Sequence, residues 1–215
     1  MSAHEASAPR VTALLAGVLA RAESAPETDP NAEERTITLG ALIESLDERA
    51  YGLAILILAL PCAVPFLYGI PQIVALPMLA LAAQLAAGRE HPWLPRRLAE
   101  RRVKVRSLKT VVDRAQRSLG FVERLAVPRF KLLSDGPGAR VVGGLMLIPA
   151  ASILLPFPLT NTMPGIGVGI TAVGLLERDG LLIIAGLAVG LLWVLALVFL
   201  GAEAISAIKG VVLGR

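Results

Sequence analysis

The stretch that decides the fold is residues 50–87, AYGLAILILALPCAVPFLYGIPQIVALPMLALAAQLAA, which carries no charged side chain. About 20 residues already cross the hydrocarbon core of a membrane as a helix, so this stretch is too long for one perpendicular span. Prolines interrupt it repeatedly between Pro61 and Pro77. It predicts two short helices, near residues 50–64 and 72–87, that form either a re-entrant hairpin or two tilted spans. Irregular backbone at membrane depth must be buried in protein or line a polar cavity.

A second charge-free stretch, residues 141–176, has the same organisation. Its first helix is expected to break at Pro156 and its second to resume after Pro164. We therefore predict an internal repeat of two proline-broken hairpins, an organisation common in transporters. The alternative is that any two proline-broken apolar stretches can be matched in this way. With two extra residues in the second turn, the paired positions are Pro65 with Pro156, Phe66 with Phe157, Pro71 with Pro164, and Gln84 with Glu177.

The composition is that of a membrane protein. Hydrophobic residues make up 55% of the chain and charged residues 18%, which is less than the quarter usual in soluble domains. One cysteine and two histidines exclude a disulfide scaffold and a Cys/His metal cluster. Residues 180–205 begin with a long uninterrupted apolar run and predict a C-terminal transmembrane helix. The expected fold is all-α: a polytopic membrane protein with two hairpins, amphipathic surface helices and this last span.

The chain is expected to divide into two parts. Residues 1–35 predict a flexible N-terminal arm with a short amphipathic helix, and residues 36–215 a single membrane domain. The arm also has some features of a signal peptide, but it carries Glu5 and little positive charge, so we expect it to be retained. A further helix is expected to start at Thr36 or Thr38 and to reach Ala50.

Residues 89–131 are strongly basic, with thirteen Lys and Arg against four acids. Because this block lies between two apolar stretches, it indicates a cytoplasmic connection rather than a nucleic-acid site. We predict a basic amphipathic helix over residues 96–131 that lies on anionic lipids, with the N-terminal arm on the same cytoplasmic side. The expected membrane-surface residues are Trp93, Arg96, Arg97, Arg101, Arg102, Lys104, Arg106 and Lys109.

Several motifs resemble a known family. These motifs lie within residues 36–205 and together look like the ExoD family of bacterial exopolysaccharide-synthesis membrane proteins. They are LALPCAVPFLYGIPQ, QLAAGREHPWLP, the tetrad NTMP and the segment LLERDG. Family members often carry Asn where this chain has Cys62. The resemblance implies a protein of the bacterial inner membrane that takes part in exopolysaccharide production or export.

No catalytic motif stands out, so we expect neither an enzyme nor a bound cofactor or metal. The sequence has no Walker loop, no HExxH and no GxSxG. The few polar groups near membrane depth are the candidates for binding substrate, although Asn161 could equally satisfy the broken backbone and the ERD segment could simply end a helix. The candidate substrate-binding residues are Gln84, Arg89, Asn161, Glu177 and Arg178.

Two functions remain open from the sequence. The first is binding or moving a lipid-linked or small polar substrate in exopolysaccharide synthesis or export. The second is a non-transporting scaffold or regulator of the polysaccharide machinery, whose proteins would then be its partners. Glycines between residues 165 and 190 also favour a homodimer, because small residues let helices approach closely.

Overall fold

The computed structural model describes Gly17 and residues 36–46, 49–65, 69–104, 131–155 and 161–212. Within these residues the chain is helical, as predicted, with one short pair of strands added. The predicted N-terminal arm lies outside the described residues except for Gly17. The same holds for residues 66–68, 105–130 and 156–160, which include the predicted breaks of the two hairpins.

After Gly17, the described chain begins with a strand, β1 (Thr36–Thr38), and a short helix, α1 (Leu39–Leu46). Thr38 caps α1, since its Oγ1 accepts a hydrogen bond of 3.3 Å from the N–H of Ala41. Thr38 was one of the two residues predicted to start this helix. The prediction that this helix reaches Ala50 is wrong. Ala50 belongs to the next helix, which is described from Arg49 onward, whereas α1 is described as far as Leu46 and residues 47–48 lie outside the described part of the chain.

The first hairpin consists of α2 (Arg49–Ala63) and α3 (Ile70–Ala86), near the predicted positions. Pro61 and Pro77 lie inside these helices and do not end them. The turn into α3 uses Gly69, whose φ of 84° is accessible to glycine at little cost. The N–H of Gly69 donates to Oε1 of Gln72 at 2.9 Å, so that side chain satisfies one of the backbone groups left open at the helix start.

The prediction of a basic helix over residues 96–131 is wrong at its beginning. A single helical turn, α4 (Arg96–Ala99), is followed by a strand, β2 (Arg102–Lys104), and the range ends in a 3₁₀ turn at Lys131–Leu133. β2 pairs antiparallel with β1, with Thr36 opposite Lys104. The pairing supplies hydrogen bonds that a helix would have supplied, and the Arg-Val-Lys alternation has the two-residue period of a strand.

The second hairpin consists of α5 (Gly136–Ser152) and α6 (Thr162–Glu177), and the last helix is α7 (Gly180–Val212). α5 begins at Gly136 rather than at residue 141, because Pro137 in its first turn is preorganised for a helix start. α7 continues past the predicted end at residue 205. Its segment Gly180–Glu203 is long and apolar enough to cross a membrane.

The two hairpins pack crosswise. α2 packs on α6 and α3 packs on α5, while α7 covers α6 and part of α5. The core between them is apolar and well covered. The largest side chains that are almost fully buried are Tyr51, Ile55, Met78, Met146, Ile153, Leu176 and Ile183.

Glycines set the distance between these helices. At Gly52, Gly143 and Gly167 an added Cβ would stand within 3 Å of backbone atoms of the facing helix. Such contacts exclude every larger residue unless the helices separate. The facing residues are Ala172 and Leu176 on α6 for Gly52, Ala82 and Ala86 on α3 for Gly143, and Gly186 and Gly190 on α7 for Gly167.

The glycines that favoured a homodimer are therefore used inside the chain. Gly165 meets Cys62 of α2, and Gly186 and Gly190 meet α6 and Pro149 of α5. A second copy of the chain cannot use the same contacts. The homodimer stays a prediction, and these faces do not support it.

We expect Gly186→Ala to destabilise the protein and Gly144→Ala not to. An added Cβ at Gly186 would overlap the backbone of Thr171 and Gly167, and such overpacking costs about 1–3 kcal/mol. Gly144 has open space around it, so Ala there should raise the helix stability by about 0.5–1 kcal/mol. Denaturant unfolding followed by circular dichroism in detergent measures both, and a shift of the same sign in the two variants would contradict the packing described.

Candidate functional site

The four ends of the two hairpins meet around a cavity of about 150 Å³. An arginine from each end lines it: Arg49 starts α2, Arg89 follows α3, Arg140 lies near the start of α5, and Arg178 follows α6. Leu85, Ala139 and Leu175 provide apolar wall, and Tyr51, Ser134 and Glu90 add polar groups. Among the lining residues, four guanidinium groups therefore face one carboxylate.

Arg49 is the buried arginine of this site, with 7% of its surface exposed. Burial lowers its pKa, and the like charge of Arg178 lowers it further, whereas Glu177 and Asp135 act in the opposite direction. An arginine starts from a pKa so high that it keeps its charge at neutral pH. The inner wall of the cavity therefore carries a fixed positive charge, which the two nearby carboxylates offset.

Arg178 ties the two ends of the second hairpin together. Its Nε lies 3.6 Å from Oδ1 of Asp135, at the position just before α5. This distance is an ion pair rather than a hydrogen bond, which requires about 3.2 Å or less. The contact fixes the end of α6 beside the start of α5 and so helps to shape the cavity.

The turn from α6 to α7 depends on Arg178 and Asp179. Arg178 is left-handed, with φ 55° and ψ 37°, and this conformation ends α6. Asp179 is buried, and its Oδ1 accepts hydrogen bonds from the N–H groups of Leu181 and Leu182 at 2.9 and 3.4 Å. The carboxylate thus caps α7, where the helix dipole also favours negative charge.

Two side chains hold the loop after α3 over the cavity. Oε1 of Gln84 accepts from the N–H of Trp93 at 2.6 Å, and its Nε2 donates to the carbonyl of Trp93 at 3.4 Å. The hydroxyl of buried Tyr51 donates to the carbonyl of His91 at 3.0 Å. These contacts tie the loop that carries Arg89 and Glu90 to the two helices of the first hairpin.

The five residues expected to bind substrate do not form one site. Arg89 and Arg178 line the cavity, and Glu177 lies beside it. The amide of Gln84 is already used by the Trp93 backbone. Asn161 is buried at the other end of α6, about 24 Å away along the helix axis. Substrate binding by any of them stays a prediction, and the geometry groups only the first three.

The residues expected at the membrane surface are exposed where their side chains are described. Trp93, Arg96, Arg97 and Arg101 face outward, and Arg96 forms an exposed ion pair of 4.0 Å with Glu100. Such an exposed pair contributes little to stability. The side chains of Arg102 and Lys104, and the whole of Arg106 and Lys109, lie outside the described residues.

Arg49 and Arg140 were missed from the sequence, although a signal for them exists. RAYG at residues 49–52 and RVVG at 140–143 share the pattern Arg-x-x-Gly, at the same spacing that separates Pro65 from Pro156. Both arginines line the cavity, and both glycines are close helix contacts. Each pattern lies where a charged segment ends and a charge-free segment begins. An arginine at such a boundary is usually interpreted as a flanking residue of a membrane segment.

The described residues offer no metal centre. No group of three or more His, Cys, Asp or Glu in this part of the chain is placed to hold a metal ion. Cys62 is buried, and its Sγ lies 3.4 Å from the carbonyl oxygen of Leu58. By charge alone, the four arginines make the cavity attractive to an anion rather than to a cation.

We expect Gln84→Ala to loosen the loop that ends at Trp93. Loss of both amide contacts should speed hydrogen exchange of the Trp93 N–H at least tenfold, the equivalent of about 1.4 kcal/mol in local opening. Gln72→Ala is the matched control, since that amide holds the N–H of Gly69 at the opposite end of α3. Exchange measured by mass spectrometry that changed equally at Trp93 in both variants would contradict this role of Gln84.

Comparison with known proteins places these features in a family. The family model described as "Exopolysaccharide synthesis, ExoD" matches residues 15–199. An uncharacterised protein of Synechocystis, slr1875, is 32% identical over 71% of this chain and 73% of its own length. Protein ExoD of Rhizobium meliloti is 29% identical over 70% of this chain and 65% of its own length, so the match spans just under two thirds of that relative. No solved structure matches. The chain belongs to the ExoD family, which is associated with exopolysaccharide synthesis.

Proposed function

We propose that this protein works in the bacterial inner membrane and takes part in exopolysaccharide synthesis or export by binding a lipid-linked or small polar substrate. The observation that carries the proposal is the cavity that one arginine from each of the four hairpin ends lines. The role needs no catalytic group, in keeping with the sequence expectation that the chain is not an enzyme. Membership of the ExoD family supports the link to exopolysaccharide.

The exposed surface of the helices supports a membrane location. In the most apolar 18-residue window of α7, within Gly180–Glu203, only 17% of the residues are buried, unlike the core helix of a soluble protein. Large apolar side chains on the other helices also face outward, among them Ile73 at 70% exposure. Water would penalise this surface, whereas lipid tails accommodate it.

The lengths of the helices favour re-entrant hairpins. α2, α3 and α6 have 15, 17 and 16 residues, which is roughly 22–26 Å against a hydrocarbon core of about 30 Å. Among residues 180–203 of α7, whose burial the structure describes, the last buried position is Gly190, and Leu192 and Phe199 beyond it are each 64% exposed. In the proposed topology the hairpins turn back inside the bilayer, and α7 alone continues to the far side.

The positive-inside rule orients this arrangement. The basic connection between the hairpins leaves from the end that carries the cavity, so we place the cavity at the cytoplasmic surface, with Trp93 at headgroup level. The shared Arg-x-x-Gly pattern and the crosswise packing support a duplication of one hairpin. Since both hairpins open at the same end, the proposed repeat is parallel.

One observation favours the alternative, a membrane scaffold. The contact between Arg178 and Asp135 uses one of the four arginines to hold helix ends together. In that case the arginines would be structural, and the polysaccharide machinery would be met through another surface. The next experiment separates the two functions.

We expect a variant with both Arg89→Gln and Arg140→Gln to lose most exopolysaccharide secretion when it replaces the wild-type gene. The change leaves the buried Arg49 and the contact between Arg178 and Asp135 in place. The matched control carries Arg96→Gln and Arg97→Gln, which remove the same charge outside the cavity. Secreted carbohydrate is measured at equal protein level on immunoblots. Normal secretion by the Arg89/Arg140 variant would contradict substrate binding in the cavity and favour the scaffold.

We expect the hairpin tips to be closed to reagents outside the cell. In a Cys62→Ala background, single cysteines replace Val64 at the tip, Glu203 on α7 and Glu100 at the cavity end. A membrane-impermeant maleimide applied to intact spheroplasts should label only the Glu203→Cys protein, and the Glu100→Cys protein should react after lysis. Equal labelling of the Val64→Cys and Glu203→Cys proteins would mean that the hairpins cross the membrane completely.

A further inference from the structure

We propose that the cavity recognises a terminal phosphate or diphosphate group at the end of a membrane lipid. This inference rests on the proposed function, because it names the chemical class of the substrate in the same cavity. The juxtaposition that carries it is that of Arg49, Arg89, Arg140 and Arg178, contributed by four separate helix ends.

The arginines divide into an inner pair and a rim pair. Arg49 and Arg178 form the inner pair, which Glu177 and Asp135 offset electrostatically. Arg89 and Arg140 form the rim pair and are exposed. Within the described part of the chain, neither side chain of the rim pair makes an ion pair or a hydrogen bond. The rim pair therefore supplies the charge that a ligand can neutralise.

Helix dipoles do not decide the sign of the field here. The starts of α2 and α5 point their partial positive charge at this end, and the ends of α3 and α6 point their partial negative charge. These contributions largely offset one another. The guanidinium groups, four against the single lining carboxylate of Glu90, thus make the cavity attractive to anions.

A phosphate monoester fits this site better than a neutral sugar or a phosphodiester. It carries a charge of about −1.5 to −2 at neutral pH and presents three acceptor oxygens, whereas a diester headgroup carries one negative charge. Arginine binds such oxygens in a bidentate fork, and several arginines can share one phosphate. A water occupies about 30 Å³, so a cavity of about 150 Å³ has room for a phosphate group.

The surroundings of the cavity favour a lipid as the carrier of that phosphate. Leu85, Ala139 and Leu175 are buried core residues that form its inner wall, and Trp93, on the loop that also carries Arg89, is exposed with 61% of its surface accessible. Tryptophan is enriched at the membrane–water interface. A headgroup at this depth can enter the cavity while its chain stays in the bilayer beside the exposed apolar helices.

The test measures binding to the full-length protein in a neutral detergent by native mass spectrometry. The probes are hexadecyl phosphate, hexadecanol, phosphatidylglycerol and inorganic pyrophosphate. We expect hexadecyl phosphate to bind at least tenfold more tightly than hexadecanol or phosphatidylglycerol. The Arg89→Gln, Arg140→Gln double variant should lose this preference, and the Arg96→Gln, Arg97→Gln control should keep it.

Each outcome decides the proposal. Tight binding of hexadecyl phosphate with weak binding of pyrophosphate supports a lipid headgroup as the ligand. Equally tight binding of pyrophosphate would overturn the lipid as carrier and identify a free, water-soluble phosphate as the ligand. Equal binding of phosphatidylglycerol and hexadecyl phosphate, or a preference unaffected by the rim variant, would overturn the proposal. If phosphate fails but the rim variant still abolishes secretion at normal protein level, the proposed function stands and the substrate is of another class. Circular dichroism of each variant verifies that it is folded.

Discussion

Close helix contact at glycine is the constraint on which the rest of the structure depends. Gly52 and Gly143 let the first helix of each hairpin touch the second helix of the other, with no room for a side chain between them. In the proposed membrane location, helices gain little from the hydrophobic effect, so dispersion contacts at such short range become a main source of their association. The crossings also fix the positions in space of the helix ends.

Because the glycine contacts set the positions of the hairpin ends, charged groups that are far apart in the sequence lie close together. Arg49 and Arg140 each precede their glycine by one turn, so two helix crossings place two arginines at one cavity. Burying Arg49 costs free energy unless carboxylates lie near it, and Glu177 and Asp135 supply that compensation from the ends of the other hairpin. Packing and charge therefore depend on each other at this end of the bundle.

The sequence predicted what local patterns control. The charge-free segments broken by proline predicted the two hairpins, and the long apolar segment predicted the last helix. Thr38 was one of the two residues expected to cap α1. The failures involve distant partners. Residues 102–104 form a strand only because residues 36–38 pair with them, and Gln84 looked like a polar ligand because nothing local shows that Trp93 folds back onto it. Arg49 and Arg140 were missed since their meeting depends on which helices cross.

Glycine contacts hold the arginine-bearing ends around one cavity, so separating one crossing must move those ends apart. Double electron–electron resonance between spin labels at Glu90, after α3, and at Val141, an exposed residue of α5, measures the separation of two of these ends. We expect a single narrow distribution of the distance between the two labels in the wild-type background. Gly143→Leu, which forces α3 away from α5, should broaden and lengthen it. An equally narrow and unshifted distribution in the Gly143→Leu protein would contradict the account.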